Sequence, residues 1–276
     1  MTDPVWSDRV SFSKFIGPKR LQKIPVALSE LKPDVVLLSH THYDHLDLAT
    51  ASEIGNKCLW IVPLGVKSLL NKISITNIVE LDWWQTHTIK AKDSERIHDI
   101  GVSFLPAKHW TGRTLYDRNT CLWGSFAVKS YPYNIFFAGD TAYCPRLFKM
   151  IGSKCGPFDM SLLPIGCYRP SWFMKSIHCD PNEALQMHLD LRSAQSIGMH
   201  WGTFELADER SIEPPLELAR WRKFMNVEPY NMFTMKHGET WRLGDSPRND
   251  FACTNPNLLE DYSQLLLRDP SLRLGC

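Results

Sequence analysis

A short polar segment of the 276-residue chain concentrates side chains that bind metal ions. The segment HTHYDHLD contains His40, His42, Asp44 and His45, and it directly follows the apolar run DVVLL. Alternate side chains of an extended backbone point the same way, so His40 and His42 can bind one cation together. Asp44 and His45 follow as the chain turns and face a different point. Four ligands this close cannot all reach one tetrahedral ion without strain, and the segment therefore favours two adjacent ions.

Further side chains of the same kind stand in short polar loops beside apolar runs. His109 follows VSFLPAK, Asp140 follows IFFAG and His200 follows SIGM, while His178 lies in the loop that leads into a predicted helix. This placement predicts ligands gathered at one edge of a sheet. Nitrogen-rich ligation with a few carboxylates suits Zn²⁺ best, although iron or manganese can occupy similar sets. We assign His40, His42 and His109 to a first ion, Asp44, His45 and His200 to a second, and Asp140 as the bridge.

A two-metal centre of this kind indicates hydrolysis. Two ions about 3.5–4 Å apart can share a water, lower its pKa toward roughly 7 and stabilise the attacking and leaving oxygens. Phosphodiester cleavage needs these effects. We predict Asp44 and His178 as catalytic residues, with His178 either a general acid or a group that stabilises the phosphate. A histidine just before a helix can instead hydrogen-bond the turn, so this alternative stays open.

The apolar runs that carry these residues predict an α/β protein of the α+β type. One helix start is marked by Asp180 as N-cap, Pro181 in the first turn and Glu183 as the returning acid of a capping box. We expect one hydrolase domain over residues 1–251 and a flexible tail over 252–276. Strands are predicted at 34–38, 59–62, 77–81, 102–105, 122–128, 135–138, 160–163 and 196–199, and helices at 48–54, 66–71 and 181–191.

Composition limits the partners and the compartment. The formal net charge is +1, so no overall field attracts nucleic acid, and we expect no nucleic-acid partner. Eight cysteines without a C-x-x-C pair indicate reduced thiols in an intracellular protein. The longest apolar stretch is interrupted by Pro63 and Gly65, so any membrane contact is expected to be peripheral, on the cytosolic face.

The ligand motif and its flanking segments resemble the metallo-β-lactamase superfamily and, within it, the N-acyl-phosphatidylethanolamine-hydrolysing phospholipase D family. The resemblance extends from Thr2 to about Leu243. It implies an αββα sandwich, two zinc ions bound by the seven residues assigned above, and a catalytic role at His178. It also implies cleavage of N-acyl-phosphatidylethanolamine to phosphatidic acid and an N-acylethanolamine. The segments are GPKR at 17–20, VPLG at 62–65, ELDWW at 80–84, FFAGDTAYCP at 136–145, GPFD at 156–159, PIGCYRPSWFMK at 164–175, HCDPNEA at 178–184, HWGTF at 200–204 and KHGE at 236–239.

The resemblance also implies a departure at the start of the chain. In the family, strands with a Gly-His-Ala-Thr segment precede the stretch that matches Thr2-Asp3-Pro4. We therefore expect the sandwich to lack the first strands of the N-terminal sheet, which would uncover an edge and part of its core face. Two consequences stay open: a homodimer through that edge, and an inactive, truncated isoform that binds lipid.

A lipid substrate requires a surface that meets the membrane. One candidate is the stretch from Lys14 to Lys23, which mixes cations with aromatic residues. The other is the loop with Arg169, Trp172, Phe173 and Met174, which has the composition of an interfacial belt. The alternative, that these aromatic side chains pack inward, stays open. So do other substrates for the same fold, those of a lactonase, a thioesterase or a nuclease, although the near-neutral charge argues against a nuclease.

Overall fold

The computed structural model describes residues 1–92 and 97–245, which contain ten strands and six α-helices. The strands are β1 (Val35–Leu37), β2 (Leu59–Pro63), β3 (Ile78–Leu81), β4 (Thr86–Lys92), β5 (Ile97–Pro106), β6 (Gly124–Ser130), β7 (Tyr133–Phe137), β8 (Phe158–Pro164), β9 (Ser193–Met199) and β10 (Met232–Thr234). The helices are α1 (Leu48–Ile54), α2 (Lys67–Asn71), α3 (Pro145–Lys154), α4 (Ser171–Met174), α5 (Pro181–Asp190) and α6 (Glu213–Met225).

The strands form two sheets of different design. The first has the order β1-β2-β3 and is parallel throughout. The second has the order β10-β9-β8-β7-β6-β5-β4; it is antiparallel from β4 to β7 and parallel from β7 to β10. Parallel neighbours end at the same edge of a sheet, so the loops after β7 and β9 emerge together.

Alternating side chains of the strands divide the core into three apolar layers. In β1, Val36 packs toward α1 and α2, whereas its neighbour Leu37 packs between the sheets. In β7, Phe136 packs toward the outer helices, whereas Phe137 meets the first sheet. This period of two fits strands that are buried on both faces. The arrangement of helices, sheet, sheet and helices is the αββα sandwich that the resemblance implied.

The structure confirms the strands and helices predicted from apolar runs, and it adds elements whose patterns are weak. The Asp180 side chain accepts from the Glu183 amide at 2.8 Å, as the predicted capping box requires. Strand β4 was not predicted because its sequence, THTIKAK, has exposed threonines and lysines at alternate positions and only one large apolar side chain, Ile89, between them. Helix α6 was not predicted because several of its buried positions are polar, among them Glu213, Glu217 and Arg222.

Residues 1–3 run beside β1. The Met1 amino group donates to Val35 O at 2.9 Å, and the Asp3 amide donates to Leu37 O at 3.0 Å. The backbone edge of β1, which we expected to be uncovered, is therefore hydrogen-bonded at these positions. The tail predicted at 252–276 lies outside the described residues. Helix α6, with 13 residues, is the longest that the structure describes. Within residues 1–92 and 97–245, no helix is long and apolar enough to span a bilayer.

Candidate metal centre

The loop after β1 holds the HTHYDH segment in a tight turn. The amides of His45 and Leu46 donate to His42 O at 3.1 and 2.8 Å, which closes the turn. The Arg113 guanidinium donates to two carbonyl groups of the same loop, Thr41 O and Leu46 O, at 2.9 and 2.7 Å. The loop is thus fixed by backbone hydrogen bonds and by one half-buried guanidinium.

The loop after β7 brings Asp140 against this turn. Gly139 has a φ of +60°, and a Cβ placed on it would lie 2.6 Å from Ser39 Cβ. Only glycine permits this conformation and this approach without strain. His109 follows β5, His178 precedes α5 and His200 follows β9. The structure thus brings together all eight of the sequence-predicted metal and catalytic residues.

Three ring nitrogens of the first predicted set converge. His40 Nε2 lies 2.9 Å from His42 Nδ1, which lies 3.2 Å from His109 Nε2. Two ligands at about 2.0–2.1 Å from a tetrahedral ion are roughly 3.3 Å apart, so this spacing is close to that of three corners of a zinc tetrahedron.

The second predicted set converges beside the first. His45 Nε2 lies 3.1 Å from His200 Nε2 and 3.4 Å from Asp44 Oδ2. Asp140 Oδ1 lies 3.2 Å from His200 Nε2. The other oxygen of Asp140 lies 3.3 Å from His45 Nε2 and 3.7 Å from His109 Nε2. Asp140 is therefore within reach of both sets, the position that a bridging carboxylate needs.

The outward nitrogens of two imidazoles have fixed partners. His109 Nδ1 lies 2.7 Å from Ile177 O, which can only accept, so Nδ1 carries the proton and Nε2 offers a lone pair to the centre. His45 Nδ1 lies 2.7 Å from Asp3 Oδ2, and the same reasoning leaves its Nε2 unprotonated when the ring is neutral. Such partners orient metal-binding histidines and raise their basicity.

Burial keeps the first set in the form that binds a metal. It lowers the pKa of His42 and of His109 to about 4. It also lowers the pKa of His40 well below the usual value, with help from the neighbouring imidazoles. These rings are neutral near pH 7 and present lone pairs.

The carboxylates of the second set are ionised. Burial alone would raise the pKa of Asp140, but His200 and His45 outweigh it and hold this pKa well below the usual range. Burial would also raise the pKa of Asp44, but His45 outweighs it and lowers this pKa well below the usual range. Among the described residues, the buried Asp140 Oδ1 has no hydrogen-bond partner. A buried polar atom without a hydrogen bond is costly, and a bound cation would remove this cost.

Asp3 is a member of the site that the sequence did not reveal. It accepts from the Ser39 amide at 2.7 Å, from Ser39 Oγ at 2.6 Å and from His45 Nδ1. Ser39 Oγ in turn lies 2.9 Å from His40 Nδ1. Asp3 stands 37 residues before His40 and outside any ligand motif, so only the pairing of residues 1–3 with β1 places it here.

A cavity of about 350 Å³ opens beside the centre. Its metal-side wall contains His42, Asp44, Asp140 and His178, and its apolar wall is formed by Val10, Trp110, Phe173, Met174, Ile177 and Leu206. Two residues of the predicted interfacial loop, Phe173 and Met174, thus line it. Trp172 is 86% exposed, and Arg169 Nε donates to Glu213 Oε1 at 2.7 Å. The loop therefore combines a cavity wall with an exposed ring.

The two-sheet fold with a His/Asp cluster at one edge defines the class of the protein. The chain belongs to the beta-lactamase superfamily, whose domain model matches residues 1–201. It is a metal-dependent hydrolytic enzyme, as its superfamily, its relatives and its cluster of candidate ligands support. Solved structures agree on the fold: an isothiocyanate hydrolase from Delia radicum gut bacteria has a TM-score of 0.64 at 17% identity, covering 87% of this chain and 91% of that one. Igni18, a metallo hydrolase of Ignicoccus hospitalis, has a TM-score of 0.56 at 20% identity, covering 78% and 81%.

Two curated relatives are similar over most of the chain. The N-acyl-phosphatidylethanolamine-hydrolyzing phospholipase D 1 of Caenorhabditis elegans is 38% identical over 256 residues, which are 89% of this chain and 71% of the relative. The mitochondrial N-acyl-phosphatidylethanolamine-hydrolyzing phospholipase D of Saccharomyces cerevisiae is 41% identical over 232 residues, 81% of this chain and 48% of the relative. The chain thus spans about half the length of the yeast relative.

Proposed function

We propose that the chain is a di-zinc phosphodiesterase that hydrolyses N-acyl-phosphatidylethanolamine to phosphatidic acid and an N-acylethanolamine. The observation that carries the proposal is the convergence of five imidazoles and two carboxylates into two adjacent ligand sets sharing Asp140. The substrate is suggested by the two relatives of that name, at 38% and 41% identity.

The residues present fit a pair of zinc ions. Each set offers nitrogen ligands, the second adds Asp44, and Asp140 can serve both. The buried Asp140 Oδ1, which has no hydrogen-bond partner among the described residues, and the facing ring nitrogens of His42 and His109 would be satisfied by a bound cation. When bound, two such ions would lower the pKa of a shared water and stabilise charge on the attacking and leaving oxygens.

The cavity beside the centre suits a lipid phosphodiester. The carboxylates of Asp44 and Asp140 lie on one wall, whereas Val10, Phe173 and Leu206 lie on another. A phosphate held at the polar wall places an attached hydrocarbon chain against the apolar wall, where its burial is favourable. The exposed rings of Trp172 and Phe173 on helix α4 give the mouth of this cavity a surface for peripheral contact with a membrane.

His178 is suited to stabilise the phosphate rather than to donate a proton. Burial lowers its pKa to about 4, so the ring is neutral near pH 7. Its Nδ1 lies 3.8 Å from Asp140 Oδ2, and among the described residues this buried atom has no hydrogen-bond partner. A neutral imidazole N–H beside the centre can donate to a phosphoryl oxygen as negative charge develops there.

The test is hydrolysis of N-acyl-phosphatidylethanolamine in detergent micelles, with zinc content measured on the same samples. The wild-type chain and the exposed-site control Asp34→Asn are expected to hold about two zinc per chain and to release both products. Asp140→Asn is expected to lose zinc and turnover. Two bound zinc ions without product release, or hydrolysis of a lactone, a thioester or RNA instead, would overturn the proposed substrate. Lipid binding without zinc or turnover would support the non-catalytic alternative.

A further inference from the structure

A second and larger cavity adjoins the metal centre. It has a volume of about 620 Å³, within the range of small-ligand sites, and is called the basic cavity because Arg9, Lys14, Lys72 and Arg113 line it. Tyr43 lines both cavities, so the two are neighbours on the surface. Apolar residues of the floor are Leu46, Leu48 and Leu69.

The charges of the basic cavity leave two ammonium groups available. The guanidinium groups are occupied, since Arg9 donates to Gly17 O at 2.6 Å and Arg113 holds the metal-binding loop. Lys14 and Lys72 are exposed and form neither an ion pair nor a side-chain hydrogen bond within residues 1–92 and 97–245. Compact ammonium groups of this kind are common ligands of phosphate.

The carboxylates that share this cavity are largely used by the protein. Asp47 accepts from the Ser7 amide at 3.0 Å and from the Ala49 amide at 3.1 Å. Asp117 accepts from the amides of Arg113 and Thr114 at 2.9 and 2.7 Å. Their negative charge is therefore partly neutralised by oriented N–H groups. Asp8 is the third carboxylate of the lining and lies at the surface.

Two loops with exposed apolar tips flank the basic cavity. On one side, Phe12 and Phe15 are 79% and 87% exposed. On the other, Leu115 and Tyr116 are 92% and 93% exposed, and their neighbours Thr114 and Asp117 line the cavity. Large apolar side chains clustered at such exposure mark an interaction surface. A soluble phosphate compound would leave these apolar side chains in water, whereas a lipid would bring a bilayer into which they can be buried.

We infer that the basic cavity binds the phosphate-bearing headgroup of an anionic phospholipid that is not the substrate, while the loops at 12–16 and 114–117 enter the bilayer. The inference rests on the proposed function for its biological role. A lipid held in the basic cavity would bring the neighbouring cavity of the metal centre to the membrane that carries the substrate. Its binding chemistry depends only on Lys14, Lys72 and the two tips.

The experiment is vesicle co-sedimentation of the full chain. Phosphatidylcholine vesicles are compared with vesicles that contain phosphatidylcholine and phosphatidylserine. Each lysine near an anionic surface contributes about 1 kcal/mol, so Lys14→Gln/Lys72→Gln is expected to bind the anionic vesicles about 30-fold more weakly. The matched control, Lys57→Gln/Lys90→Gln, makes the same change of net charge at exposed positions elsewhere and is expected to bind like the wild type. Leu115→Ser/Tyr116→Ser is expected to weaken binding to both vesicles.

Three outcomes would overturn the inference. One is equal loss in the two lysine variants, which would indicate an effect of net charge alone. Another is unchanged binding by Lys14→Gln/Lys72→Gln. A third is lysine-dependent binding of glycerol 3-phosphate in calorimetry without vesicles, which would assign the cavity to a soluble phosphate. Turnover of micellar substrate and zinc content are measured in parallel and are expected to stay unchanged, so a failure of the proposed function is recognised separately.

Discussion

Replacing Asp3 with asparagine tests how the second ligand set is oriented. Asp3 Oδ1 accepts from the Ser39 amide, so the carbonyl of an asparagine would keep that position. Its NH₂ group would then stand where Oδ2 receives His45 Nδ1 at 2.7 Å. A donor there requires His45 Nδ1 to accept, which moves the ring proton to Nε2, the atom that faces Asp44, Asp140 and His200. A protonated Nε2 cannot bind a metal.

The expected loss follows from the role of Asp3 as an outer partner of a ligand. Loss of such partners costs about 10- to 100-fold in metal affinity, which corresponds to about 1.4–2.7 kcal/mol. Backbone strain does not contribute, because Asp3 has a φ of +39° and asparagine tolerates positive φ as well as aspartate does. The change should therefore weaken one zinc ion and leave the fold intact.

Zinc titration of the metal-free protein against a competing chelator measures both ions. For Asp3→Asn we expect one ion bound 10- to 100-fold more weakly, with turnover partly restored by excess zinc. The matched control is Asp34→Asn, an exposed aspartate just before β1, which is expected to match the wild type. Two ions of wild-type affinity in Asp3→Asn would refute the reasoning about the tautomer of His45.

Three further predictions address the role of His178, the contact with the membrane and the stability in acid. His178→Ala is expected to retain its zinc and to lose about 100-fold in turnover; unchanged turnover would remove His178 from the mechanism. Trp172→Ser/Phe173→Ser is expected to weaken vesicle binding by about tenfold or more, whereas Tyr131→Ser, an equally exposed ring in the turn between β6 and β7, is expected to have no effect. Burial lowers the pKa of His188 to about 4, so the unfolded chain alone binds this proton between about pH 6.5 and 4, and stability falls as the pH falls. Urea unfolding at pH 7 and 5 should therefore show a loss about 2 kcal/mol larger in the wild type than in His188→Gln; equal losses would contradict this origin.

Much of the fold was predictable because its central strands are buried on both faces. Runs such as VVLL at residues 35–38 are apolar throughout, a pattern typical of a strand covered on both sides. Helix α5 was predictable from its capping box, since the cap is a local interaction among Asp180, Pro181 and Glu183. The edge strand β4 and helix α6 were not predictable in this way. Their stability depends on tertiary neighbours rather than on a local signal: β4 pairs with β5 at the edge of the sheet, and α6 packs against α5.

The sequence by itself determined the candidate ligand set, because imidazoles and carboxylates placed after apolar runs must emerge where strands end. It determined His40, His42, Asp44 and His45 most directly, since their spacing is local. Only the tertiary structure decided the orientation of these ligands and the shape of their surroundings. Asp3 reaches His45 because residues 1–3 pair with β1, and the basic cavity exists because two loops about 100 residues apart in sequence meet beside Tyr43. Both depend on long-range packing, which leaves no periodic pattern in the sequence.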